Sequence, residues 1–166
     1  MTNPAAGLNS SLEHADVVVR GRPSAFLQEV SVGKHRFQAD EPFSIGGSDA
    51  APDPYDYLLA ALGACTSMTI GMYARRSKWP LDDVVVGLRH SRIHAEDCAD
   101  CETKSGMLDR IEVDIQLIGD LTPAQREKLM HIAHKCPVHR TLKSEIAIAV
   151  REETEALPAT TPAATN

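Results

Sequence analysis

The sequence predicts an α+β fold in one domain, because strand-like and helix-like segments come in blocks rather than in strict alternation. Its 166 residues suit a single hydrophobic core. A long apolar segment that opens with a helix-start signature divides a series of short β-branched and alternating segments. We expect the domain to span residues 14–151. We expect disordered tails at residues 1–13 and 152–166, which are small and polar or rich in Glu, Ala, Thr and Pro.

The first part of the domain predicts a small antiparallel meander. Residues 16–20 form a β-branched run, residues 25–32 alternate imperfectly, and Gly33 marks a turn into a strand over residues 35–39. Proline and glycine recur between residues 40 and 54, so this segment is predicted to be a loop.

A long helix is predicted next. Asp53 suits the capping position and Pro54 the first helical position. One face carries side chains at spacings of three and four, namely Leu58, Leu62, Cys65, Thr69 and Met72. The other sides hold small residues, so we expect the helix to be buried nearly all round and to end before Pro80.

The remaining segments predict two strands, two helices and a last strand. The strands span residues 83–94 and 110–118, with an acidic, cysteine-containing link between them. Thr122 and Gln125 form a capping signature for a helix that runs to about His134. A short helix follows Pro137, and residues 145–150 (EIAIAV) alternate and predict a closing strand.

Charge and hydropathy argue against two classes of partner. The net charge of -6 disfavours nucleic acid, which needs clustered basic residues. No run of 18 apolar residues predicts a membrane span, and no secretory signal is evident. We therefore expect a cytoplasmic protein, whose four cysteines are reactive, metal-binding or buried rather than in structural disulfides.

Two cysteines lie in contrasting local settings. Cys65 lies on the aliphatic face of the long helix, where a cysteine is either a small buried hydrophobe or a reactive group. Cys136 precedes Pro137 at a helix start, where backbone N–H groups and the helix dipole favour a thiolate, with His139 and Arg140 one turn on. A packed cysteine at a helix junction is the alternative there.

Two segments resemble the cysteine motifs of the OsmC/Ohr family of osmotically inducible and organic hydroperoxide resistance proteins. Residues 54–66 read PYDYLLAALGACT, and residues 136–142 read CPVHRTL. The Gly46–Gly47 loop and the order of elements also match, and ADEP at residues 39–42 resembles the OsmC-like branch. The resemblance implies an intertwined homodimer in which a curved antiparallel sheet wraps each long central helix.

The resemblance also implies a thiol-dependent peroxidase of the stress response, with no cofactor. Cys65 would attack the peroxide, Cys136 would form a disulfide with it, and a dithiol or a lipoyl-bearing protein would reduce the pair. The family activates its first cysteine with an arginine, here Arg22 by preference over Arg20, and with a glutamate.

Tyr55 occupies the position of that glutamate, so Asp56 or Glu41 is the substitute that we expect. The resemblance places the site at the dimer interface. A substrate pocket that favours alkyl hydroperoxides is expected from five apolar side chains of the long helix, namely Leu58, Leu59, Leu62, Met68 and Met72.

Other clusters leave alternatives open. His94, Cys98 and Cys101 are candidates for a secondary redox site or a zinc site, and the alternative is that the two cysteines are an incidental pair in an exposed loop. His131, His134 and His139 near Cys136 also resemble a ligand set. The alternative function is a dimeric protein of the same family that binds or senses a small ligand or metal and has weak or no peroxidase activity.

Overall fold

The structure is a computed structural model that describes residue 12 and residues 14–99 and 101–153. The predicted tails, residues 1–13 and 152–166, lie largely outside these described residues. The described elements, from β1 at Val18 to the last helix at Leu142, combine antiparallel strands with a long helix. The α+β prediction is therefore confirmed.

The first sheet is the predicted meander. Strands β1 (Val18–Gly21), β2 (Gln28–Val32) and β3 (His35–Ala39) pair antiparallel in the order β1-β2-β3. The tight turn between β2 and β3 uses Gly33 at φ 54°, a conformation that glycine adopts without a steric penalty. Both strands begin later than predicted, because the ladder between them extends only from the Val18–Ser31 pair, where β1 begins, to the Gly21–Gln28 pair, where β2 begins.

Helix α1 (Pro54–Ser77) begins and ends at the predicted signals. Asp53 and Asp56 form a reciprocal capping box, and Pro54 occupies the first turn. The helix ends where Lys78 takes a left-handed conformation at φ 54°. These local interactions fix where the helix starts, and therefore where Cys65 lies along it.

Helix α1 packs on a two-stranded hairpin. Strands β4 (Asp83–His94) and β5 (Met107–Ile118) pair antiparallel over their whole length. A Cβ atom added at Gly63 would lie 2.7 Å from Leu88 Cδ1, so a glycine lets α1 approach β4 closely. β5 starts three residues before the predicted residue 110, because its ladder with β4 continues to the His94–Met107 pair.

Two further helices complete the core. Thr122 and Gln125 form the predicted capping box of α2 (Pro123–Ala133), and Cys136 caps α3 (Pro137–Leu142). The main cluster joins α1, α2 and the end of the hairpin through Ile70, Ala74, Leu117, Leu121, Leu129 and Ala133. This packing holds α3 against α1 and sets the position of the second cysteine.

Two predictions about the fold are wrong for the single chain. Residues 145–150 form no strand, and Ile148 and Val150 are 82% and 92% exposed. An alternating segment becomes a strand only when another strand pairs with it, and no described strand of this chain does so. Helix α1 is also not buried all round, since Met68 and Met72 are 71% and 50% exposed: the hairpin, α2 and α3 leave that side of the helix uncovered.

Within the described residues, α1 alone is long and apolar enough to cross a membrane, judged by length and composition. The core helix of a soluble protein passes the same test. In this fold α1 packs against β4, α2 and α3.

Candidate active site

The two cysteines of the resembled motifs meet between α1 and α3. Cys65 lies in the middle of α1 and is half-buried, whereas Cys136 is fully buried at the cap of α3. Both are free thiols, and each thiol shifts the pKa of the other, so their sulfur atoms lie close together. Residues that are 71 positions apart in the chain therefore form one site.

The surroundings of Cys136 favour its ionised form. Burial raises the pKa of the Cys136 thiol, but the nearby thiol of Cys65, N–H of His139 and hydroxyl of Thr66 together outweigh burial and lower that pKa. The N–H of Val138 acts in the same direction. Pro137 exposes these N–H groups to the sulfur because it starts α3 immediately after Cys136.

Cys65 has the opposite tendency. Its interaction with the Cys136 thiol raises the pKa of Cys65, and burial adds to this. The N–H of Val138 partly offsets the effect. Cys136 is therefore the more acidic of two adjacent thiols, and an oxidant that converts one of them to a sulfenic acid would let the other form a disulfide with it.

This arrangement predicts opposite pKa changes when either thiol is removed. In a Cys136→Ala variant the pKa of Cys65 falls, because the largest influence that raises it is gone. In a Cys65→Ala variant the pKa of Cys136 rises, because burial then acts without its strongest counterweight. Thiolate absorbance near 240 nm, followed against pH with Cys98 and Cys101 oxidised, measures both. If the pKa values of the two remaining thiols shifted in the same direction, the opposite effects that each thiol has on the other would be contradicted.

The predicted activating residues lie apart from the thiols in the single chain. Arg22 is exposed after β1, and no described hydrogen bond or ion pair joins it to Cys65. Asp56 accepts from the N–H of Asp53 at 3.3 Å within the capping box, and Glu41 lies half-buried in the loop before α1. A role for these side chains at Cys65 stays a prediction.

The five predicted pocket residues do not share one cavity among the described residues. Leu62 is buried inside the chain, and Leu58 and Leu59 are half-buried. Met72 is exposed, and Met68 borders a cavity of about 370 Å³ on the outer side of α1, together with Trp79, Leu81 and Val84 among other residues.

Asp40 has a structural role that the sequence did not reveal. One carboxylate oxygen accepts from the Ser48 hydroxyl at 2.6 Å, the Ser48 N–H at 3.0 Å and the Ala50 N–H at 3.1 Å. The Ser48 hydroxyl, followed by the Ala50 N–H, lowers the pKa of Asp40 to about 2. This buried carboxylate folds the loop that leads into α1. The sequence singled out Asp40 only as part of the ADEP tetrapeptide, and this motif did not indicate which groups the carboxylate would bind.

The second cysteine pair forms a disulfide. Cys98 and Cys101 are bonded to each other, so their sulfurs are not free zinc ligands in this state, and His94 is exposed nearby. A disulfide between these two cysteines is compatible with the secondary redox site that the sequence allowed, and its activity stays a prediction. His134 and His139 contact edge to face at 5.6 Å between ring centres. In the described part of the chain, no three His, Cys, Asp or Glu residues are arranged to hold a metal ion.

The chain is similar to proteins of one family. Residues 46–151 match the family model described as OsmC-like protein. Among curated proteins, no sequence matches this chain significantly.

Solved structures of the same family share the fold. The organic hydroperoxide resistance protein OsmC of Legionella pneumophila is 23% identical with a TM-score of 0.56, over 76% of this chain and 87% of that one. An organic hydroperoxide resistance protein of Elizabethkingia anophelis is 18% identical with a TM-score of 0.58, over 76% and 86%. An OsmC-like protein of Mycoplasma pneumoniae is 15% identical with a TM-score of 0.59, over 77% and 86%.

Proposed function

This chain belongs to the OsmC-like protein family, and we propose that it is a thiol-dependent peroxidase that reduces organic hydroperoxides with Cys65 and Cys136 in defence against oxidative stress. The observation that carries the proposal is the proximity of two free thiols, each of which shifts the pKa of the other. Peroxide reduction by two cysteines needs a thiolate and a second sulfur within bonding reach of it.

The difference in burial assigns the order of the two sulfurs. Cys136 is fully buried and Cys65 is half-buried, so a peroxide reaches Cys65 first. As the Cys65 sulfur attacks, its proton passes to the adjacent Cys136 sulfur. Cys136 is thus both the base that takes this proton and the second thiol of the cycle.

The cycle balances without a cofactor. The Cys65 thiolate attacks one oxygen of the hydroperoxide, the O–O bond breaks, and the alkoxide leaves and takes a proton from water, while Cys65 becomes a sulfenic acid. The Cys136 thiol then attacks the sulfenic sulfur and releases water, which leaves a Cys65–Cys136 disulfide. A small dithiol or a lipoyl-bearing protein returns the pair to two thiols by two exchange steps.

We assign organic rather than inorganic peroxides as substrates on the apolar character of α1. Its exposed side chains near the turns that hold Cys65 include Met68 and Met72, which favour an alkyl group over water. We expect kcat/KM for cumene hydroperoxide to exceed that for hydrogen peroxide by at least about tenfold, since one alkyl group in an apolar pocket contributes a factor of this size. A coupled peroxidase assay with a dithiol as reductant measures both. Equal turnover of the two peroxides would contradict the assignment.

A homodimer accounts for the surface that the single chain leaves uncovered. Four apolar side chains of that surface are at least half exposed. Two of them, Met68 and Met72, lie on α1, and the other two, Ile148 and Val150, lie in the unpaired alternating segment. Contiguous apolar surface and an unpaired strand-forming segment are features of a protein–protein interface. We therefore infer that two chains of 18.0 kDa associate and complete the substrate pocket, which a mass measurement in solution tests. We place the protein in the cytoplasm, with no nucleic acid or membrane as partner.

The second candidate function is binding or sensing of a small ligand without fast peroxide turnover. Two observations favour it. Tyr55 occupies the position of the family's glutamate, and no described contact joins Arg22 to the two thiols. A Cys65→Ser variant that keeps full function in a peroxide-survival assay would support this reading over the peroxidase.

A further inference from the structure

The hairpin of β4 and β5 carries a second cysteine pair at its tip, and we propose that Cys98 and Cys101 form a separate thiol–disulfide exchange site for small uncharged dithiols. The two residues are joined by a disulfide, and their Cα atoms are 5.5 Å apart. Each is half-buried rather than enclosed in the core. A disulfide that solvent reaches can be attacked by an external thiolate.

The disulfide is not needed to shape the hairpin. The ladder of β4 and β5 already runs to the His94–Met107 pair, and the N–H of Ala95 donates to the carbonyl of Gly106 at 2.8 Å beyond it. The sequence separation of the two cysteines is 3, and a loop this short gains the least stability from closure. Reduction therefore leaves the hairpin paired, as a reversible redox site requires.

The tip lies too far from the first thiol pair for direct exchange within one chain. Leu88 of β4 packs against Gly63, two residues before Cys65 on α1. From Leu88 to His94 the strand extends six residues, or roughly 20 Å at the rise of a β-strand. The tip pair must therefore obtain its electrons from another molecule and not from Cys65 or Cys136 of the same chain.

A cavity beside the disulfide can hold such a molecule. Its volume is about 320 Å³, and Ile93 and Leu108 provide an aliphatic surface next to Cys98 and Cys101. Two charged side chains of β5 line this cavity, and both already have partners. Asp109 contacts His90 at 2.9 Å, and Arg110 contacts Glu112 at 3.1 Å.

The charge of the tip selects against anions. Residues 96–104 include four acidic residues and one lysine. The Nζ atom of that Lys104 donates to the carbonyl of Cys101 at 2.7 Å. The excess of negative charge repels a carboxylated dithiol and leaves the approach of an uncharged one unaffected.

The exchange balances in two steps. A thiolate of the dithiol attacks one sulfur of the disulfide, which forms a mixed disulfide and releases the other cysteine as a thiolate that takes up a proton. The second thiol of the dithiol then attacks the dithiol sulfur of the mixed disulfide, and the second cysteine is released as a thiolate that takes up a proton. The cysteine pair gains two electrons and two protons, and the dithiol leaves as its disulfide.

A full-length Cys65→Ser/Cys136→Ser variant isolates this site, because only the tip pair remains. We would treat it with the uncharged dihydrolipoamide or the anionic dihydrolipoate, which are both 1,3-dithiols that close a five-membered cyclic disulfide, and count free thiols by alkylation and mass spectrometry. Each rate is divided by the reagent's rate with hydroxyethyl disulfide, which removes intrinsic reactivity. At about 10 mM salt we expect the normalised rate to be about tenfold higher for the uncharged dithiol, and the ratio to approach one in about 1 M salt.

Three results would overturn the proposal: a pair that no dithiol reduces, equal normalised rates at low salt, or a reduced pair that does not reoxidise reversibly. A Cys98→Ser/Cys101→Ser variant with free Cys65 and Cys136 gives the complementary readout. We expect its thermal midpoint to stay within about 3 °C of the parent, since so short a loop contributes little. A larger fall would show a structural disulfide instead. These measurements do not depend on peroxide turnover, so they test the exchange site independently of the peroxidase proposal.

Discussion

Replacing Cys65 by serine is expected to reduce steady-state hydroperoxide turnover by about 10³-fold or more, the scale on which loss of a nucleophile acts. A serine hydroxyl neither ionises near neutral pH nor accepts an oxygen from a peroxide. Cys136 is fully buried and does not replace Cys65 as the attacking sulfur.

Replacing Cys136 by serine should produce a different defect. Loss of the neighbour that raises the pKa of Cys65 leaves more Cys65 thiolate, so one turnover still occurs. No disulfide can then form, and the sulfenic acid persists and is trapped by dimedone. Peroxide consumption in single and multiple turnover separates the two variants. The matched control is Cys98→Ser/Cys101→Ser, which should consume hydroperoxide at the parental rate. If this variant lost its peroxidase activity, the reacting cysteines would be those of the hairpin tip.

Replacing Gly47 by alanine is expected to destabilise the fold by about 1–3 kcal/mol, the usual cost of overpacking. A Cβ atom at this position would overlap the backbone carbonyl of Glu41, which has no flexible end that could move away. The N–H of Gly47 also donates to the carbonyl of Pro42 at 3.2 Å, so the loop cannot open without losing this bond. Since the same loop is folded by Asp40 and leads into α1, the strain is transmitted to the helix that carries Cys65.

Urea unfolding followed by circular dichroism measures the change in the free energy of unfolding. Gly87→Ala is the matched control: nothing lies within 4 Å of a Cβ atom added there, and the residue belongs to β4. The control should change stability by less than about 1 kcal/mol, in the stabilising direction, since glycine is unfavourable within a strand. Equal effects of the two substitutions would mean that the contact with Glu41 does not constrain the loop.

The sequence predicted the elements whose signals are local. The start of α1 follows from Asp53, Pro54 and Asp56, and the start of α2 from Thr122 and Gln125, because each capping interaction spans only three residues. The closing strand at residues 145–150 failed for the opposite reason. Alternation shows that a segment can become a strand, but pairing requires a partner that this chain does not provide among its described residues.

The site was predictable only in part. The local setting of Cys136 indicated a stabilised thiolate, as the N–H groups of Val138 and His139 now explain. That Cys65 and Cys136 lie together came from the resemblance to a family and not from either segment alone. The buried role of Asp40 could not be predicted, since its partners Ser48 and Ala50 lie in an irregular loop whose path no sequence period describes.

The most direct test of the central claim is to mix the fully reduced protein with one equivalent of cumene hydroperoxide and to map its disulfides by mass spectrometry. The proximity of the two thiols and their mutual effect on pKa predict rapid formation of a Cys65–Cys136 disulfide, with release of one equivalent of cumyl alcohol. If Cys65 and Cys136 stay reduced while the hydroperoxide persists, or if only Cys98 and Cys101 become linked, then the pair is not a peroxidase centre.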